Sequence, residues 1–335
     1  MKKILFVPIL FFLFVSCIKE FDLKLNKSEK LLVVDGLITN GKGPYYVRLT
    51  RSSNNLNTAF IDSVYVNFNN HFQDSAQAVT NAVVIISDNL GNTDTLIPVP
   101  QYYSGYVQFY NSTKNAMDSV YEPKLEEIYG INKGFYKTTH IQGVAGRYYT
   151  LKVLVDGKVY HSQCYMPLLP KIDSISYTKK ISEILKGEEY YSPIIYFRKP
   201  KENGYYLFRF NANWDVHDSR VNIILPAINS VSNWDFSIIS TKLLKPNVNG
   251  LDIQIGNYVK TNFAQNYFWE NEIVMTMNSL TEEGYAFYNN LIGQFKSDGG
   301  AFKPTPASPV GNISDGALGF FRASATIELR KKITP

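Results

Sequence analysis

Short apolar runs separated by glycine-containing turns recur from Leu31 almost to the C-terminus, and this rhythm constrains the fold more than any other feature. Leu31-Leu32-Val33-Val34-Asp35-Gly36-Leu37-Ile38 is followed by Asn40-Gly41 and then by Tyr45-Tyr46-Val47-Arg48-Leu49. Asn-Gly between apolar runs predicts a hairpin, because both central residues of such a turn need positive φ. Residues 83–88 and 95–97 flank Asn89-Leu90-Gly91-Asn92, and residues 151–155 and 158–160 flank Asp156-Gly157, which predicts two more hairpins. No helical period intervenes. The first half therefore reads as an antiparallel sandwich, immunoglobulin- or transthyretin-like, over residues 29–170.

Met166-Pro167-Leu168-Leu169-Pro170 reads as a boundary, since two prolines stiffen a short extended crossing. Strand patterns resume in Ile194-Ile195-Tyr196-Phe197-Arg198, Tyr205-Tyr206-Leu207-Phe208-Arg209-Phe210 and Glu272-Ile273-Val274-Met275-Thr276-Met277. Residues 171–335 thus read as a second antiparallel β domain, a sandwich or a barrel-like sheet. It carries one helix near 280–295, where Tyr285, Tyr288, Leu291, Ile292 and Phe295 recur at helical period. Ser279 and Thr281 are candidate N-caps, and Ser279 stands three residues before Glu282, the spacing of a capping box. Residues 51–80 and 104–135 are polar and weakly patterned; loops this long are expected to be functional or mobile. The stretch from Asp118 to Ile128 is expected to hold a helical turn, though Pro123 argues against a long helix there. The fold class expected is mainly β.

The N-terminus carries an export signal. Lys2 and Lys3 precede an apolar run from Ile4 to Val15, too short for a bilayer span of roughly 20 residues. It ends in Phe14-Val15-Ser16-Cys17, which resembles the lipobox of bacterial lipoproteins, with Phe14 in place of the usual leucine. Residues 1–16 are therefore expected to be removed and Cys17 to carry the lipid. Two or three acyl chains hold firmly because each buried CH₂ contributes about 0.8 kcal/mol. Residues 17–28 form a tether, in which Lys19-Glu20 and Asp22 resemble a surface-export signal. The expected location is the outer membrane, lipid-anchored and at the cell surface.

Chemistry is harder to read. Loss of Lys2 and Lys3 from 34 basic residues leaves 32 against 29 acidic ones, a net charge of +3, and no basic cluster points to nucleic acid. Cys164 is the one cysteine besides Cys17, so no disulfide framework exists. Cys164 and His161 are three apart on a strand pattern, which puts them on opposite faces. His71, His140, His161 and His217 lack metal-ligand spacing, and no cofactor motif is present. Trp214-Asp215, Trp234-Asp235 and Glu126-Glu127 supply carboxylates, but neighbours on a strand face opposite ways. The tyrosine doublets 45–46, 102–103, 148–149, 190–191 and 205–206 fit half-buried sheet surfaces, the commoner case, or a sugar-binding face.

Four segments of the second half carry a resemblance: Gly204-Tyr205-Tyr206-Leu207-Phe208-Arg209, Asn249-Gly250, Ser279-Leu280-Thr281-Glu282-Glu283-Gly284-Tyr285 and Asn312-Ile313-Ser314-Asp315-Gly316-Ala317-Leu318-Gly319-Phe320-Phe321. With Leu32-Val33-Val34-Asp35-Gly36-Leu37-Ile38-Thr39 behind a lipobox, they make the chain similar to a family of Bacteroidota outer-membrane lipoproteins described only as a domain of unknown function. Residues 215–245 hold only scattered acids where that family often has an acidic cluster. By typical gene neighbourhood the resemblance implies partnership with a TonB-dependent outer-membrane transporter and assigns chemistry to no residue. The expectation is a non-enzymatic accessory lipoprotein that binds such a transporter or its substrate. Carbohydrate or peptide capture is the alternative, and glycan or peptide hydrolysis a third. Asn312, Gly316, Gly319, Phe320 and Phe321 are the candidate structural or interface residues, their glycines suiting a tight turn or bulge and not a phosphate loop.

Overall fold

The computed structural model describes residues 29–52, 77–111, 113–126, 130–183, 186–210, 236–253, 272–296 and 309–334. The first half contains β1 (Leu32–Thr39), β2 (Tyr46–Arg51), β3 (Gln77–Ala78), β4 (Val83–Asp88), β5 (Thr93–Thr95) and β6 (Ile97–Pro98). It continues with β7 (Tyr102–Asn111), β8 (Ala116–Glu126), β9 (Phe135–Lys137), β10 (Tyr148–Val155) and β11 (Lys158–Tyr165). The second half contains β12 (Ile172–Ile181), β13 (Glu189–Arg198), β14 (Tyr205–Phe210), β15 (Phe236–Ser240) and β16 (Asn247–Asp252). After β17 (Glu272–Leu280) come helix α1 (Glu282–Lys296), β18 (Leu318–Ser324) and β19 (Thr326–Lys332). The chain is mainly β, with several open sheets and, among the described residues, no closed barrel. Among those residues no helix is long and apolar enough to cross a membrane.

The first sandwich packs a sheet of order β18-β1-β2-β9-β6, with β3 on β2, against a sheet of order β11-β10-β4-β5. Alternation selects its core: Leu32, Val34 and Ile38 of β1, Val47 and Leu49 of β2, and Leu151, Val153 and Val155 of β10 all turn inward. The predicted hairpins are present, with different turns. Asp156 and Gly157 both have positive φ (52° and 73°) between paired Val155 and Lys158, the two-residue turn the sequence predicts. The Asn40-Gly41 connection does not have that turn: neither residue has positive φ, and the loop runs on through a cis Gly43–Pro44 bond. The buried Tyr45 hydroxyl fastens it, accepting from Gly143 N at 3.1 Å and Gln142 Nε2 at 2.8 Å.

The second sandwich packs β12-β13-β16 against β15-β14-β17-β19 around Ile195, Phe197, Tyr206, Phe208, Met275 and Met277. Residues of β14 and β17 with the opposite parity, Leu207 and Leu280, turn to the other face and take up α1 through Phe287 and Tyr288. Thr281 caps α1, its Oγ1 accepting from Gly284 N at 3.1 Å. Ser279, the other cap candidate, is still in β17. Its hydroxyl donates to Pro167 O at 2.7 Å and accepts from Ala325 N at 2.9 Å, which ties the inter-sandwich linker to the β18–β19 junction.

Two expectations change. Residues 102–126 are not a featureless loop but a two-stranded ribbon, β7–β8, and the stretch from Asp118 to Glu126 is strand. The polar stretch 51–80 lies mostly outside the described residues. In addition, β18, grouped with the second half at the sequence level, pairs in parallel with β1, from Val33 opposite Leu318 to Thr39 opposite Ser324. All other strand pairs among the described residues are antiparallel. One residue later β19 joins β17 in the second sandwich. The last two strands therefore straddle both cores, and Leu169 of the linker packs against both.

Candidate functional site

The segment 312–321 is a stitch between sheets. Asp315 and Gly316 turn with positive φ (56° and 74°), and Ala317 N donates back to Ser314 O at 3.2 Å. Asn312 lies along the free edge of β18: its Nδ2 donates to Phe321 O and its Oδ1 accepts from Phe321 N, both at 2.8 Å. A side-chain amide thereby satisfies the two backbone groups that a missing neighbour strand would have paired. Ser314 makes the same kind of link to β11, its backbone N donating to His161 O at 2.8 Å and its Oγ accepting from His161 N at 2.9 Å. Gly319 has φ of 97°, and a Cβ there would lie 1.9 Å from Val34 O, so only glycine lets β18 close on β1. Of the candidate residues, Asn312, Gly316, Gly319 and Phe321 build this seam, while Phe320 faces away from it toward α1.

The outer face of the same sheet, under α1, holds a row of charge. Arg48 on β2 stands opposite Asp35 on β1, and Arg322 on β18 stands opposite Leu37, two residues further along β1. Arg48 and Arg322 are buried. The Arg48 Nε donates to Lys133 O at 3.0 Å and its guanidinium lies 5.3 Å from the Phe135 ring centroid. The Arg322 guanidinium lies 5.3 Å from the Tyr288 ring, and its Nε and Nη1 are buried without a hydrogen-bond partner. Burial pushes the Asp35 carboxyl up to about 7, the charges of Arg48 and Arg322 offsetting only part of that shift. Burial also raises the Tyr288 hydroxyl to about 12. In the sequence, Asp35, Arg48 and Arg322 each interrupt an otherwise uncharged strand core. Only the register brings them to one face.

A third feature is the ribbon. Strands β7 and β8 hydrogen-bond to each other and, among the described residues, to no other strand. Tyr102 and Tyr103, consecutive and so on opposite faces, are 42% and 47% exposed, and Val120 and Tyr121 are 45% and 53% exposed. A hairpin built into a domain buries one face. This one presents apolar side chains on both.

The remaining sequence candidates are dispersed. Cys164 is buried in the first core, where burial pushes its thiol up, while His161 is exposed on the opposite face of β11. His140 lies beside the buried Asp94, whose carboxylate accepts from the backbone N of Thr139, His140 and Ile141 at 2.8, 2.8 and 2.9 Å. Although burial opposes ionisation, those bonds hold Asp94 below the usual carboxylate range. No group of histidine, cysteine and carboxylate side chains among the described residues is arranged to hold a metal. Cys17, His71, Asp215, His217, Asp235 and Glu127 lie outside the described residues.

Residues 18–330 match the protein family described as "Domain of unknown function (DUF4249)". Comparison with curated proteins gives no match.

Proposed function

We propose that this chain, which belongs to the DUF4249 family, is a non-catalytic accessory lipoprotein, held in the outer membrane through Cys17 and bound to a TonB-dependent transporter. The observation that carries the reading is the β7–β8 ribbon. A two-stranded hairpin is marginal in water on its own, and a ribbon that pairs with no other strand among the described residues and exposes Tyr102, Tyr103, Val120 and Tyr121 is the kind of surface that partners cover. Behind it, two sandwiches joined by a shared pair of strands form a rigid base, and rigid scaffolds carrying projecting contact segments suit binding. A lipid anchor adds to this by confining the ribbon to the membrane plane, which raises its effective concentration near a membrane partner.

The test is recovery of the tagged lipoprotein from bacterial outer membranes in mild detergent, followed by identification of what comes with it. Wild type brings down an outer-membrane transporter in stoichiometric amount, and the double substitution Tyr103→Ser, Tyr121→Ser loses it while the melting temperature holds. A wild-type protein that purifies alone defeats the reading. Retention of the transporter by the double variant defeats the role given to the ribbon.

A further inference from the structure

A second surface has a different chemistry. Strands β10 and β11 pair so that Tyr148 faces Tyr165, Thr150 faces Gln163 and Lys152 faces His161, all on the solvent side of their sheet. Where β11 meets the 312–314 segment, this face deepens into an open groove of about 360 Å³, lined by Thr150, His161 and Gln163 on one side and Ile313 and Ser314 on the other. Ser162 lines it as well, with a buried hydroxyl that has no hydrogen-bond partner. Tyr148 and Tyr165 sit one rung further along the ladder, roughly 7 Å from the Thr150–Gln163 pair by strand rise. Their ring centroids are 4.9 Å apart and the rings are tilted by 46°, with Tyr148 48% exposed.

We propose that this groove is a binding site for a neutral oligosaccharide. One sugar ring rests against the exposed Tyr148 and its half-buried neighbour Tyr165, and the hydroxyls of the next meet Thr150, Gln163 and His161. The lining dictates the ligand class. It carries no acidic or basic side chain apart from the His161 imidazole, and the charges beside it, Lys152 next to His161 and Asp315 next to Ser314, are one of each sign, so the face has no net counter-charge for an anion or a cation. Its hydroxyl, amide and imidazole groups both donate and accept, as sugar hydroxyls do. A wholly apolar ligand would strip water from those groups and leave them unpaired. The aromatic pair supplies the apolar surface that the C–H face of a sugar needs. The volume falls within the range of small-ligand sites, and a groove so open suits one stretch of a longer chain. This inference is independent of the transporter reading, because it uses a different face and different residues.

Isothermal titration of the full chain in detergent with maltohexaose, cellohexaose, laminarihexaose and xylohexaose tests it. At least one hexamer is expected to give a saturable isotherm. Tyr148→Ala and Gln163→Ala each weaken that binding tenfold or more, while Lys158→Ala, at the far end of β11, does not. Both site variants change solvent-facing side chains and keep the wild-type melting temperature. Flat isotherms with all four hexamers overturn the proposal, as does unchanged affinity in both site variants. Recovery of the transporter with Tyr148→Ala is the same as with wild type, so failure here leaves the ribbon reading standing, and failure there leaves this one.

Discussion

Phe320 and Phe321 are consecutive on β18 yet belong to different cores. Phe321 is fully buried in the first sandwich, and Phe320 packs on Phe287 of α1 with ring centroids 4.9 Å apart. Strand alternation sends neighbours to opposite faces, and here each face of β18 is covered by a different body. Each truncation to alanine is expected to cost about 3–5 kcal/mol, the range for a buried phenylalanine. Their signatures differ. Phe320→Ala speeds hydrogen exchange in α1 with little change in β10, whereas Phe321→Ala speeds it in β1 and β10. Exchange profiles that coincide would show that the two faces are not separate cores.

The glycines of the stitch separate steric from conformational demand. Gly316→Ala meets no atom within 4 Å and bears only the left-handed backbone, about 1–2 kcal/mol. Gly319→Ala bears the same backbone penalty and also collides with Val34 O, so β18 must leave β1. Asn312→Ala removes both bonds to Phe321 and is expected to cost about 1–3 kcal/mol. Denaturant midpoints should rank the stability of Gly316→Ala above that of Gly319→Ala; the reverse order would contradict the parallel pairing.

Asp35 and Asp94 predict opposite pH responses. The folded pKa of Asp35 lies near 7, above the unfolded carboxylate value of about 4, so the fold favours the neutral acid and its contribution is lost as pH rises through that window. Asp35→Asn mimics the neutral form, and its melting temperature should gain on wild type between pH 5 and pH 8. Asp94 is held low, so its contribution is present above the unfolded value and lost as pH falls through the folded one. Asp94→Asn should therefore destabilise at pH 7 and converge on wild type in strong acid. Melting curves across pH 3–8 check both signs.

Cys17→Ala is expected to abolish incorporation of labelled palmitate and to release the protein from membranes. Label or membrane association retained by the variant would remove the anchor from the proposed function.

Alternation and turn residues made the strands of both sandwiches legible, along with the Asp156-Gly157 turn and the amphipathic helix, because these depend on neighbours in the chain. The helix cap was half legible. Both Ser279 and Thr281 have the right chemistry, and the hydrogen bonds from Ser279 to Pro167 O and from Ala325 N decided between them. The two-stranded ribbon at 102–126 escaped notice because its exposed apolar residues give no one-faced pattern.

The sequence by itself determined a β-rich chain and marked out the prolines of 166–170 and the conspicuous segment 312–321. Tertiary structure alone decided that β18 returns across almost the whole chain to lie parallel to β1, because strand pairing between Val33 and Leu318 depends on a register that no local pattern encodes. The same pairing set Asp35 between Arg48 and Arg322 on one face of the sheet and gave each of two adjacent phenylalanines a core of its own. Local chemistry specifies what each strand is, and long-range packing specifies which strand it meets.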